Sequence, residues 1–161
     1  MRIFLVGDTG AVGMNIGLVI AASVIVGLFL LFMVLRLVFF RVDQGLQKHI
    51  FGRFDKTEIL GATTRANSFG FKSKGGAQIR GNGALVLTRN ELCFVRAVPR
   101  EEYLIPIGSI RKVSMPKTFN GKSVFVPLLR VDFDSENGEE SIAWALKRAD
   151  KWKDAIEKMI M

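Results

Sequence analysis

Reactive side chains are scarce in this chain of 161 residues, which holds one cysteine, one histidine and one tyrosine. A single cysteine, Cys93, excludes an internal disulfide and suits a reducing compartment. Its expected place is that of a small apolar filler within a strand. A single histidine, His49, leaves no cluster at metal-ligand spacing and no histidine-based nucleophile triad. Neither a metal, a cofactor nor a catalytic set is therefore expected. Charge is missing in a different way: the chain carries a net +8, yet no charged residue occurs between Thr9 and Leu35.

That gap belongs to a long hydrophobic run. From Ile16 to Phe40 the sequence is apolar except for Ser23 and Arg36. As a helix this run spans roughly 37 Å, enough to cross a hydrocarbon core of about 30 Å with some tilt. It is too long for the apolar region of a cleaved signal peptide, and its small residues Ala21, Ala22 and Ser23 fall in the middle rather than after it. The expected organisation is a short exported N-terminus (1–14), a transmembrane helix (15–40), a juxtamembrane linker (41–55) and one domain (56–161). Arg36, Arg41, Lys48, Arg53 and Lys56 follow the span while only Arg2 precedes it, which places the C-terminal domain in the cytoplasm of a single-pass protein of the cell membrane. In the linker, Leu46, Ile50, Phe51 and Phe54 recur at near-helical spacing, but Gly45 and Gly52 interrupt it, so a short interfacial helix and an irregular connection both remain open.

Beyond Lys56 the pattern turns to strands. Thr57–Ala66 is rich in threonine and branched residues, Ala84–Thr88 and Leu92–Ala97 flank a short polar turn, and Tyr103–Ile107 and Ser109–Met115 follow. Leu129, Val131 and Phe133 alternate with Arg130, Asp132 and Asp134, the period of a strand with one solvated face. Ser141–Leu146 returns with Ile142 and Trp144 on one side. Finally Ala149, Trp152, Ile156 and Met159 form one apolar stripe of a helix. The fold class is α+β, with about seven short strands and a C-terminal helix that covers their core. Another small β-barrel or an α+β sandwich would share this pattern.

The segments GALVLTRNELCFV, LIPIGSI and LLRVDFDSENGEE, with a last helix carrying Trp152, resemble the pleckstrin-homology (PH) superfamily, most closely its GRAM-type and bacterial PH-like branches. The likeness covers roughly residues 56–160. It implies a PH-like β-barrel of about seven strands, plugged by the tryptophan of its C-terminal capping helix, with Trp152 and Trp144 in structural roles.

One stretch then calls for a function: FGFKSKGGAQIRGNG, residues 69–83. It is not a nucleotide-binding P-loop, because Asn82-Gly83 follows Gly81 where lysine and a hydroxyl residue are required. The resemblance places it between the first two strands, where lipid-binding PH domains grip anionic headgroups. Lys72, Lys74 and Arg80 are then candidate lipid contacts, with Phe69 and Phe71 dipping into the interface beside them; each basic group near an anionic leaflet contributes about 1 kcal/mol. A solvated connecting loop is the plainer alternative. Nucleic acid is not an expected partner, since no helix concentrates arginines and no aromatic platform is evident. The expectation is a membrane-tethered, non-enzymatic adaptor that binds a protein partner at the cytoplasmic membrane face, or alternatively a domain that contacts anionic lipid through the basic loop.

Overall fold

The structure, a computed structural model, describes the backbone of residues 9–161 and side chains from residue 16 onward. The expected exported N-terminus lies largely outside the described residues. The chain divides into two compact units, residues 1–41 and 42–161.

The first unit is helical. Helix α1 begins at Thr9, and from Ile16 its apolar side chains are exposed on every face. Its most apolar window has a mean hydropathy of 3.0, and the helix is long and apolar enough to cross a membrane. Ser23, the one hydroxyl in the run, donates to the Val19 carbonyl at 2.8 Å, so its polar group is satisfied within the helix.

In the second unit α1 continues unbroken to Arg53. Neither Gly45 nor Gly52 ends it, because burial outweighs the roughly 1 kcal/mol that a glycine costs in a helix. Leu46, Ile50 and Phe54 are buried against Ala84, Val86, Cys93 and Val95. Residues 42–53 are thus a helix that forms part of the domain rather than a linker before it.

The remainder is a seven-stranded antiparallel sheet in the order β4-β3-β2-β1-β9-β8-β5. Its strands are β1 (Ile59–Phe71), β2 (Gly81–Thr88), β3 (Glu91–Arg96), β4 (Glu101–Pro106), β5 (Ile110–Ser114), β8 (Leu129–Ser135) and β9 (Gly138–Ala145), with a small separate hairpin of β6 (Thr118–Phe119) and β7 (Lys122–Ser123). The strand count agrees with the sequence reading, but the barrel does not close. β4 and β5 end the sheet on opposite sides and are joined by a 3-10 turn, Ile107–Ser109. Pro106 offers no amide there, and the Ile107 amide is taken by the Asn90 carbonyl at 2.8 Å. The sheet is nonetheless curled: Ile105 from one edge strand and Ile110 and Val113 from the other join one core with Leu85, Phe94, Val131, Ile142 and Trp144. Helix α2 (Ala149–Ile160) covers this core, packing mainly on β5, β8 and the 3-10 turn.

The expectation that Trp152 plugs the core is corrected. Trp144 on β9 and Ile156 on α2 are fully buried, whereas Trp152 is only half-buried. Trp152 lies in the first turn of α2, at the rim, over Gly61 of β1. One turn further along the same stripe, Ile156 takes the central position.

Candidate functional site

The stretch singled out by its glycines and basic residues is ordered by bonds from all sides. β1 runs to Phe71, five residues beyond the expected end, so Phe69 and Phe71 are strand residues and the loop proper is 72–80. The extension depends on Gly70, whose φ of +86° disfavours any other residue. The side chain of Gln78 lies against Gly70; its amide donates to the Phe71 carbonyl at 2.6 Å and to the Gly75 carbonyl at 2.8 Å. The Lys72 amide bonds the Ser141 carbonyl at 2.9 Å, and the Gly75 amide the Lys72 carbonyl at 3.1 Å. Ser73 donates to Glu140 through both its amide, at 3.1 Å, and its hydroxyl. Burial alone would raise the Glu140 carboxyl, but the donors from Ser73, Ser141 and Lys72 outweigh it and hold the group below its usual value. Those amides are therefore committed within the protein, not displayed to a ligand.

The outer side of the loop rests on the β6–β7 hairpin. Asn120 donates to the Phe71 carbonyl at 2.9 Å, Lys122 to the Gln78 carbonyl, and Arg80 to the Ser123 carbonyl at 3.2 Å. Phe69 is fully buried among Phe119, Leu128 and Ala143. It is a core residue and is not available to a membrane, which corrects its assignment as a lipid contact. Phe71 is half-buried, its ring 4.8 Å from that of Tyr103 in an edge-to-face arrangement. The basic candidates Lys72, Lys74 and Arg80 are all exposed, Lys74 with its ammonium 5.4 Å from the Phe71 ring centre. Arg80 is positioned by the hairpin and serves the fold first.

The hairpin and the segment after it bring residues to the loop that sequence reasoning missed. Lys117 is exposed and Lys122 is half-buried. Phe125 projects fully into solvent, Val126 is more than half exposed by comparison with a free residue, and Ile79 on the loop is 82% exposed. The available signal was VFVP, an apolar run before a proline with no strand partner of matching period. The loop, the hairpin and the segment after it thus carry both exposed apolar side chains and exposed lysines. The adjoining β8–β9 turn opposes them in sign, with Glu136 and Glu139.

Elsewhere several carboxylates are in ion pairs. Arg111 reaches Asp134 at 2.6 Å and Arg130 reaches Asp132 at 2.7 Å, so the two strand aspartates are structural partners of basic neighbours. Glu102 takes Arg53, with His49 at 3.7 Å, tying the end of α1 to β4. Among the described residues no group of histidine, cysteine and acidic side chains is arranged to hold a metal ion.

No protein-family model matches the chain, and no curated protein does either. Solved structures share its fold. A C-terminal domain of an unknown protein from Leishmania infantum is 14% identical with a TM-score of 0.52, the match covering 73% of this chain and 96% of that one. A chain of the 8S snRNP assembly intermediate is 12% identical with a TM-score of 0.51, covering 65% and 84%. At such identities the likeness is one of fold alone: a curled antiparallel sheet closed by a C-terminal helix.

Proposed function

We propose that the chain is a membrane-tethered, non-enzymatic adaptor of PH-like fold whose domain is oriented at the cytoplasmic membrane face by contact with anionic lipid. The observation that carries the reading is the fully exposed Phe125, with exposed Ile79 and Val126, on a hairpin segment and loop that are bonded to each other and also carry the exposed Lys72, Lys74 and Lys117. Exposed apolar side chains together with cations suit a bilayer interface, where the former enter the acyl boundary and the latter meet headgroup charge. The site differs from the one read in the sequence: Phe125 takes the part given to Phe69.

Chain length supports it. Gly45 lies beside Arg100 of the β3–β4 turn, at the end of the sheet where β1 leaves for the loop. Five positions separate it from Phe40, the last residue of the apolar run, and a chain that long reaches at most about 18 Å. A contact on the same chain as an anchor needs little intrinsic affinity, because the tether supplies a high local concentration. Glu136 and Glu139 oppose an anionic surface, so the contact is expected on the hairpin side.

The test uses the full chain in nanodiscs with an environment-sensitive dye on Phe125→Cys; Cys93 is buried and does not compete for label. Anionic lipid at low salt should shift the dye emission to the blue. High salt, neutral lipid or the triple change Lys72→Glu, Lys74→Glu and Lys117→Glu should reverse it. Emission that is the same in neutral and anionic discs would overturn the lipid contact.

A further inference from the structure

We propose that the free edge of β1 over Leu60–Thr63 takes up an extended, acidic segment of a partner protein as an added strand. The proposal rests on the adaptor reading, whose partner it specifies, but uses none of the residues assigned to lipid.

β1 pairs with β2 from Ile59 to Ser68 but with β9 only from Asn67 to Phe71. Upstream of Asn67, the main-chain groups that point away from β2 have no backbone partner among the described residues. Natural sheets usually guard such an edge with proline, a charge, a bulge or a covering element; β1 has register shifts at Ile59/Gly61 and Thr63/Ala66, and Gly61–Thr63 between them is regular. Leu60-Gly61-Ala62-Thr63 contains no proline and no charge. Helix α2 packs mainly toward β5, β8 and the 3-10 turn and lies over this edge at Trp152. A groove of about 430 Å³ is left between these four residues and Lys147, Arg148, Lys151 and Trp152.

The lining specifies the occupant. A strand edge alternates donors and acceptors along its length, a pattern that another extended backbone matches in register, whereas a phosphate, of lipid or nucleic acid, supplies acceptors alone. Gly61 presents bare backbone beneath the Trp152 ring, which stands 3.6 Å from where a side chain would begin. Leu60 is exposed and Trp152 half-buried, giving apolar ground for alternate side chains. Lys147, Arg148 and Lys151 make no ion pair among the described residues, and Arg65 adds a fourth positive charge along β1. Glu58 and Asp150 are the acidic neighbours in sequence and leave the surroundings net positive. The complement is an extended segment with acidic and apolar residues in alternation. The same charges disfavour a second copy of this chain, since two such edges would bring like cations together.

The experiment titrates the full chain, in neutral-lipid nanodiscs, with a labelled peptide of alternating glutamate and valine, about seven residues long, the length of an ordinary strand. Binding should saturate and protect residues 60–65 from hydrogen exchange. It should weaken roughly tenfold or more when alternate peptide amides are N-methylated, and by a similar factor in Lys147→Glu with Lys151→Glu. These exposed lysines are not core residues, and an unchanged melting temperature would show that the variant folds. Lys72→Glu with Lys74→Glu should leave peptide binding unaltered. Equal binding of the methylated peptide, protection confined to another edge such as β4, or no saturable binding would overturn the proposal. If that failure came with the dye shift of the preceding subsection intact, the added strand alone would fall; loss of both would remove the adaptor reading itself.

Discussion

The guanidinium of Arg80 stands 4.5 Å from the ring centre of Phe69, so two residues that the sequence presents as a pair facing lipid are instead stacked on each other within the domain. Cation–π contact of this kind contributes about 0.5–2 kcal/mol, the upper end where water is excluded. Arg80→Ala should therefore lower thermal stability by an amount in that range. Arg80→Lys should recover only part of the loss, because a lysine ammonium does not lie flat on a ring. Differential scanning fluorimetry of the full chain in detergent measures both; an Arg80→Ala variant as stable as the wild type would contradict the structural role.

Gly70 and Gln78 close the loop together. A side chain at Gly70 would overlap Gln78 and force a positive φ on an L-residue. Gly70→Ala is expected to cost about 1–3 kcal/mol. Gln78→Leu should cost less but should speed amide exchange at Phe71, whose N–H is bonded to the Gln78 oxygen at 2.9 Å. Exchange at Phe94 and Val131, away from Phe71 in the sheet, should not change.

Ile50 lies far from the loop, on the outer face of the sheet, and is buried. Ile50→Ala should destabilise the sheet domain by about 2–5 kcal/mol. Val38→Ala, an equally apolar position in the exposed part of α1, should have no comparable effect on the same transition. Circular dichroism melting in a mild detergent distinguishes them.

Cys93 gives a pH dependence. Burial, together with the nearby Glu102 carboxylate, pushes its thiol up from 9.0 to about 12. A raised pKa favours the protonated thiol in the folded state, so its contribution to stability is complete below pH 9. That contribution declines between pH 9 and 12, as the unfolded chain alone releases the proton. Cys93→Ala should flatten this alkaline decline. At pH 8 the native thiol should resist alkylation that proceeds promptly in denaturant.

Much of the fold was legible because its elements announce themselves by period. The run Ile16–Phe40, the alternation at Leu129–Phe133 and the stripe through Ala149 and Ile156 each fall within one element. The extension of β1 to Phe71 was not legible, since it depends on a side chain seven positions away standing in for a strand. The burial of Phe69 was hidden for a related reason: its neighbours Phe119 and Leu128 come from a connection with no period of its own. Local pattern likewise left the helix over residues 42–53 open, because its apolar face finds its partners only once β2 and β3 have formed. At the candidate site, Lys72 and Lys74 stand where the sequence suggested. Phe125 escaped notice because exposure is a property of the folded surface and leaves no mark on composition.

Leu46, Ile50 and Phe54 seal the outer face of β2 and β3 from the far end of the same helix that begins in the hydrophobic run. A protease cutting just after Phe54 would leave that seal held to the sheet by packing alone. Loss of the segment would then uncover the apolar face formed by Ala84, Val86, Cys93 and Val95, and the remaining sheet would be prone to aggregate.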